Sequence, residues 1–144
     1  MKFMSTLSVS EGGLNMSRFF HTKRGVAVAL LASAPWLTPG PAHAGVTHVP
    51  LYTFHGDNSS DEFGESVSGA GDVNGDGYAD LIVGARHDDN NGSNSGSARV
   101  LSGLDGSELY EFNGDSAGDE FGYSVSGAGD VNGDGRADLI VGAW

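Results

Sequence analysis

The sequence predicts an all-β protein built from repeated four-stranded units, and three observations carry this prediction. A unit of 58 residues occurs twice in the chain. Glycine supplies 24 of the 144 residues, a composition typical of turns and short strands and not of a helical bundle. No stretch after residue 44 shows the apolar periodicity of a helix. The length fits one modest domain at most.

The two copies of the repeat are nearly identical. Residues 61–85 recur as residues 119–143, and only two of these 25 positions differ: Glu65 becomes Tyr123, and Tyr78 becomes Arg136. The aromatic residues, glycine and aspartate of 52–57 also return in 110–115. We therefore expect the same local structure in both copies.

Each full repeat predicts four short strands. In the first copy they cover residues 66–70, 80–85, 97–102 and 109–112. The second strand is apolar after its first residue, as a strand buried on both faces would be. The fourth alternates, which places Tyr110 and Phe112 on one side. Four short strands in a repeat of about this length are typical of a β-propeller blade.

Turn chemistry supports the division into strands. Asn91-Gly92 and Asp105-Gly106 lie between predicted strands, and such pairs supply the positive φ angles that tight hairpins require. We therefore expect hairpins at both positions.

The first 44 residues differ in kind from the rest. They combine a basic segment over residues 1–25, an apolar run over 26–37 and Ala42-His43-Ala44, the pattern of a secretory signal peptide. The apolar run is shorter than the roughly 20 residues that span a bilayer. We predict cleavage after Ala44, with either Met1 or Met16 as the start of translation. The predicted domains are thus 1–44, a signal peptide, and 45–144, a repeat region with repeat 1 at about 52–109 and a truncated repeat 2 at about 110–144.

Charge and composition exclude several functional classes. After residue 44 the chain has three basic and 18 acidic residues, a formal charge of −15, which repels nucleic acids and anionic membranes and attracts cations. The absence of cysteine excludes disulfides, zinc–thiolate sites and thiol nucleophiles. The histidines after residue 44 stand beside no nucleophile in a recognised motif. The sequence therefore predicts no catalytic residue in this chain.

A spaced set of oxygen donors lies between the first two strands of each repeat. Side-chain oxygens occur at loop positions 1, 3, 5 and 9, and position 7 offers a backbone carbonyl. The proposed ligands are Asp72, Asn74, Asp76, Tyr78 and Asp80 in the first loop, and Asp130, Asn132, Asp134, Arg136 and Asp138 in the second. Oxygen ligands in this number suit Ca²⁺ better than Mg²⁺, which gives up its water reluctantly. Because position 7 binds through its backbone, the change from Tyr78 to Arg136 does not disturb the prediction.

Two other interpretations of these loops are weaker. Aspartate, asparagine and glycine are common in turns, but an ordinary turn does not require four spaced oxygens in both copies. An EF-hand needs a glutamate at position 12, where Val83 and Val141 stand, and flanking helices where strands are expected. A dockerin-like loop fails for the same reason. We therefore expect an ion-binding loop between two strands.

Together these residues resemble the FG-GAP repeat of integrin α-subunit propellers and of many bacterial secreted proteins. Phe63-Gly64 and Phe121-Gly122 are similar to the FG element, and the two loops match the calcium loop of the family. Gly84-Ala85 and Gly142-Ala143 match the start of the GAP element, although Arg86 and Trp144 replace its proline. The resemblance covers nearly all of residues 52–144.

The resemblance implies a propeller of about seven blades with calcium between strands, often used for ligand binding or adhesion. Two repeats cannot close a propeller of roughly 4–8 blades. We therefore expect the chain to be part of a longer protein or to be completed by self-association. The expected function is a secreted or cell-surface module that binds an extracellular protein or polysaccharide. The alternatives are a structural calcium-dependent spacer and the non-catalytic part of a larger hydrolase or lyase.

Overall fold

The computed structural model describes residues 50–144 with their side chains, and residues 4–10, 13–19, 27–32 and 49 as strand backbone. The chain divides into two compact units, one of Met1–His21 and Val28–Phe54, and one of Thr22–Ala27 and His55–Trp144. Throughout the described residues the regular secondary structure is β, which confirms the predicted class. Among these residues, no helix has the length and apolar character needed to cross a bilayer.

Four strands precede the repeats described below. Strands β1 (Met4–Ser10) and β2 (Gly13–Phe19) form an antiparallel pair, and β3 (Ala27–Ala32) pairs with β4 (Val49–His55). The predicted signal peptide overlaps β1 to β3, and the predicted cleavage point after Ala44 lies outside the described residues. That boundary stays a prediction.

The first repeat forms one antiparallel four-stranded sheet. Its strands are β5 (Ser66–Gly71), β6 (Asp80–Ala85), β7 (Ser97–Leu101) and β8 (Glu108–Asn113), and they lie side by side in chain order. Each predicted strand is present, with bounds that differ by one residue at most. Strand β6 is almost wholly buried, as its apolar sequence predicts. The rings of Tyr110 and Phe112 lie on one side of β8 with their centroids 6.2 Å apart, as the alternation predicts.

The second repeat contributes two strands in the described structure. Strands β9 (Ser124–Gly129) and β10 (Asp138–Gly142) form an antiparallel pair in the same arrangement as β5 and β6. Both pairs contain a β-bulge before the loop, at Ala70 in the first and at Ala128 in the second. Gly71 and Gly129 follow these bulges with φ angles of 75° and 73°, in the left-handed region that favours glycine. The bulge and the glycine turn the chain into the predicted metal loop.

The hydrophobic core lies between the two sheets. On the first sheet it contains Ala70, Ile82, Ala98 and Val100, each at most 1% exposed, and Val125 of the second sheet packs against them. Leu139 and Val141 extend the contact from β10. The small residues of β5 and β9 allow the two backbones to approach, since a Cβ on Gly127 would lie 2.7 Å from the carbonyl oxygen of Gly69.

The FG and GAP elements close each sheet through one backbone hydrogen bond. The Gly64 N–H donates to the Gly84 carbonyl at 2.9 Å, and the Gly122 N–H donates to the Gly142 carbonyl at 3.1 Å. A Cβ on Gly84 would lie 2.1 Å from the Gly122 carbonyl oxygen, so glycine is required there for the two repeats to meet.

The prediction of tight, two-residue hairpins at Asn91-Gly92 and Asp105-Gly106 is wrong. Gly92 and Gly106 have positive φ angles as expected, but Asn91 and Asp105 do not. The connections run over residues 86–96 and 102–107 and are longer than two-residue hairpin loops. Longer connections spread the reversal over several residues, so the paired positive φ angles of a two-residue turn are not needed.

Candidate metal centre

The first loop is held together by its own acidic and amide side chains. One carboxylate oxygen of Asp72, at position 1, accepts hydrogen bonds from the N–H groups of Gly75 and Asp76 at 2.7 and 3.0 Å. Its other oxygen accepts from Gly77 at 2.9 Å. The side-chain oxygen of Asn74 accepts from Asp76. The oxygens at positions 1 and 3 therefore point into the loop, where a cation would lie.

The second loop repeats the hydrogen bonds that the side chains at positions 1 and 3 accept. The carboxylate of Asp130 accepts from Gly133, Asp134 and Gly135 at distances between 2.7 and 3.0 Å. Asn132 accepts from Asp134 at 2.8 Å, and Asp134 accepts from Arg136 at 2.9 Å, as Asp76 does from Tyr78 in the first loop at 2.8 Å. The glycines at position 6 have φ angles of 89° in both loops. The local residues therefore determine the shape of each loop.

The two loops differ at position 9. Asp80 is 1% exposed, and its two oxygens accept hydrogen bonds from Val73 of its own loop and from Gly103 in the β7–β8 connection, at 3.0 and 3.1 Å. Asp138 is half-buried, and among the described residues its hydrogen-bond donors are Val131 and Asn132 of its own loop. Position 9 thus anchors the first loop to the connection between β7 and β8.

The donor set of each loop fits a hard divalent cation. Every side chain in it offers oxygen, none offers sulfur or imidazole nitrogen, and each loop carries three carboxylates. The Oδ2 atoms of Asp72 and Asp130 each accept one backbone N–H and keep lone-pair capacity for a metal. The side chains at positions 1, 3, 5 and 9 and the carbonyl at position 7 would hold the ion.

A closely spaced group of three acidic side chains lies outside both loops. In the part of the chain that the structure describes, the trio with its ligand atoms within 4.8 Å of one another is Asp57, Asp88 and Glu111. Two of these carboxylates bind the guanidinium of Arg99: Asp57 at Nη2, and Glu111 at Nε at 3.0 Å. Burial disfavours the charged form of Arg99, but these hydrogen bonds outweigh it and raise its pKa above the usual value. The trio is therefore neutralised in part by a half-buried arginine.

A second ionic cluster joins the two repeats. Arg86, which replaces the family's proline, pairs with Glu62 at 2.6 Å and Glu65 at 2.7 Å in its own repeat, and with Glu120 of the next repeat at 3.6 Å. Its guanidinium carbon lies 5.5 Å from the ring centroid of Tyr123. The sequence carried a sign of this contact, because position 65/123 is one of the two positions at which the repeats differ.

In this cluster the pKa of Glu62 lies below its usual value. A hydrogen bond with Glu65 lowers the pKa of Glu62 most, burial opposes this effect, and the hydrogen bond and charge of Arg86 lower the pKa further. The hydrogen bond with Glu62 raises the pKa of Arg86 in turn.

Comparison with known proteins supports the assignment of the repeats. Residues 63–101 and 121–143 match the family model described as the FG-GAP repeat. Integrin alpha pat-2 of Caenorhabditis elegans is 41% identical over 101 residues, which is 62% of this chain and 8% of the relative. Integrin alpha-5 of Xenopus laevis is 40% identical over 81 residues, 56% of this chain and 7% of the relative. Integrin alpha-IIb of Mus musculus is 37% identical over 89 residues, 57% of this chain and 8% of the relative.

The chain therefore spans less than a tenth of the length of these curated relatives. The matched segments contain β5 to β7 of the first sheet and both strands of the second, together with both candidate metal loops. Two segments of the chain match the FG-GAP repeat, which implies propeller blades, and over these segments the chain is similar to integrin α subunits.

Proposed function

We propose that the chain is the calcium-binding part of a secreted or cell-surface FG-GAP propeller, of the bacterial secreted type, and that it acts as a binding or adhesion module without catalytic activity. The observation that supports the calcium assignment is the same spacing of side-chain oxygens in two loops 58 residues apart, with the position 1 carboxylate folded into each loop by the same backbone hydrogen bonds. The similarity to integrin α subunits supports a binding role, and the pattern of residues 1–44 supports export.

Calcium would stabilise the fold by neutralising the loops. Two carboxylates about 4–5 Å apart repel by roughly 3–4 kcal/mol at an effective dielectric constant near 20, and a divalent cation converts this repulsion into coordination. The expected dissociation constant is about 0.1–1 mM, as for other extracellular modules. An ion that binds only the folded chain stabilises it. Above the dissociation constant, this stabilisation free energy grows with the logarithm of the ion concentration, and the melting temperature rises with it.

The test compares the wild-type chain with a double variant in the loops. Asp76→Ala combined with Asp134→Ala should abolish both calorimetric Ca²⁺ binding and the Ca²⁺-induced rise in melting temperature. Asp115→Ala is the matched control, because it removes an exposed carboxylate that lies outside both loops. A rise in melting temperature that survives in the double variant would refute the ligand assignment.

The binding role needs a separate test, because a calcium-dependent spacer would pass the first one. The immobilised chain should capture an extracellular protein or polysaccharide in Ca²⁺ and release it in chelator. Calcium-dependent folding with no such capture would favour the spacer. Hydrolytic or lyase activity that survives the double variant would favour attachment to a catalytic domain.

The second blade requires a further partner for its apolar face. Ile140 is 61% exposed, whereas Ile82, the equivalent residue of the first blade, is fully buried against the second. We expect a further repeat or a second copy of the chain to cover this face. Light scattering with Ile140→Asp tests self-association: a mass that falls to that of the monomer supports a second copy, and a wild-type chain that is already monomeric rejects it.

A further inference from the structure

The two candidate metal loops are joined by one backbone hydrogen bond. The N–H of Ala137, at position 8 of the second loop, donates to the carbonyl of Asp72, at position 1 of the first, at 3.0 Å. The loops also pack closely here, since a Cβ on Gly71 would lie 2.6 Å from the Cβ of Ala137. The contact connects a proposed ligand residue of one site with the backbone of the other.

The peptide group that donates this bond also belongs to the second site. The N–H of Ala137 and the carbonyl of Arg136 are the two ends of one planar peptide unit, and they point in opposite directions. The carbonyl of Arg136 is the proposed position 7 ligand. A cation on that carbonyl would draw electron density from the peptide and strengthen the hydrogen bond that its N–H donates to Asp72.

The effect on the first site runs through Asp72. Its carbonyl accepts the bond from the second loop, and its carboxylate holds the N–H groups of Gly75, Asp76 and Gly77. Fixing the backbone of Asp72 therefore orders most of the first loop. A ligand that orders one site lowers the ordering cost of the other, which is a source of positive coupling without a change of shape.

We propose that the two loops bind Ca²⁺ as a coupled pair, in which an ion in either loop raises the affinity of the other through the Asp72–Ala137 hydrogen bond. This proposal rests on the proposed calcium-binding function. The coupling factor is the product of the two stepwise binding constants of the wild-type chain, divided by the product of the constants of the two sites measured alone. We expect a factor of about five or more, the lower end of measured couplings between sites.

The experiment is calorimetric Ca²⁺ titration of the 144-residue chain and its variants. Asp134→Ala leaves the first site alone, Asp76→Ala leaves the second site alone, and together with the wild type they give the coupling factor. Absence of Ca²⁺ binding in the wild type refutes the proposed function and this inference with it. Binding at both sites with a factor near one refutes the inference and leaves the proposed function standing.

A second comparison tests the hydrogen bond itself. Ala137→Pro removes the donor and keeps all ten proposed ligand residues, and it should reduce the coupling factor to about one. Ala79→Pro is the matched control at position 8 of the first loop, whose N–H makes no hydrogen bond within the described part of the chain; it should keep the coupling. An unchanged factor in Ala137→Pro would overturn the proposed route.

A chemical variant covers the case in which proline distorts the second loop. Replacing Ala137 by lactic acid gives a backbone ester that keeps the side chain and lacks the N–H. If Ala137→Pro no longer binds Ca²⁺ at the second site, the ester decides: a factor near one supports the inference, and an unchanged factor refutes it.

Discussion

The contact between the blades leads to a stability prediction for Ile82, and the equivalent residue of the second repeat provides the control. Ile82 and Ile140 occupy the same position of two nearly identical repeats, but Ile82 is fully buried and Ile140 is 61% exposed. Ile82 lies in the cluster with Val100 and Val125. Truncating it to alanine removes buried methyl groups and leaves a cavity, which typically costs about 2–5 kcal/mol. Ile140→Ala removes the same atoms from a mostly solvated site, and we expect a cost of at most about 1 kcal/mol.

The assay is urea unfolding of both variants in saturating Ca²⁺, with the slope against urea checked for constancy. The free energy of unfolding should fall by at least about 2 kcal/mol more for Ile82→Ala than for Ile140→Ala. Equal losses that do not depend on protein concentration would refute the burial argument. Equal losses that shrink on dilution would show that a second copy covers Ile140, because dilution removes the stabilisation that association gives the wild type.

Three further predictions follow from the described contacts. Gly84→Ala should destabilise the fold by about 2 kcal/mol or more in urea unfolding, because its Cβ would lie 2.1 Å from a carbonyl oxygen of the second blade. Gly69→Ala is the control: its Cβ would meet no atom within 4 Å, and it should cost less than about 1 kcal/mol. Tyr78→Arg makes the sequence of the first loop identical to that of the second. It should change Ca²⁺ affinity by no more than about twofold, because an exposed charge near the site is screened. A larger change in calorimetry would contradict backbone ligation at position 7. Glu62, whose pKa is lowered by its hydrogen bond with Glu65 and by the nearby guanidinium, should contribute stability above its unfolded pKa of 4.5 that is lost as pH falls through the lower folded value. Urea midpoints between pH 3 and 6 should therefore fall less steeply on acidification in Glu62→Gln than in the wild type, and parallel curves would contradict this.

The candidate loops were predictable from the sequence because their structure is local. Each carboxylate at position 1 accepts N–H groups that lie three to five residues further along the chain. Glycine at position 6 supplies the positive φ angle. These bonds join residues of one loop, so the spacing of the residues predicts this part of the shape.

The ionic contacts around Arg86 and Arg99 could not be predicted in the same way. Arg99 binds Asp57, which is 42 residues away, and Arg86 binds Glu62 and Glu120 from two different repeats. Composition shows only that the chain is acidic. Which carboxylates surround which of the few arginines depends on how the strands pair and how the blades pack.

The sequence by itself determined the class of fold, the strands of the repeats and the position of both loops between strands, because strand alternation and turn chemistry act between near neighbours. The tertiary structure decided how equivalent residues differ. Ile82 is buried and Ile140 is exposed, and Asp80 accepts a hydrogen bond from Gly103 whereas Asp138, in the described part of the chain, accepts from its own loop. The tertiary structure also decided the hydrogen bond from Ala137 to Asp72, which joins two different repeats. Two identical sequences have identical local preferences, and only the surface that packs against each copy can make their burial and their hydrogen bonds unequal.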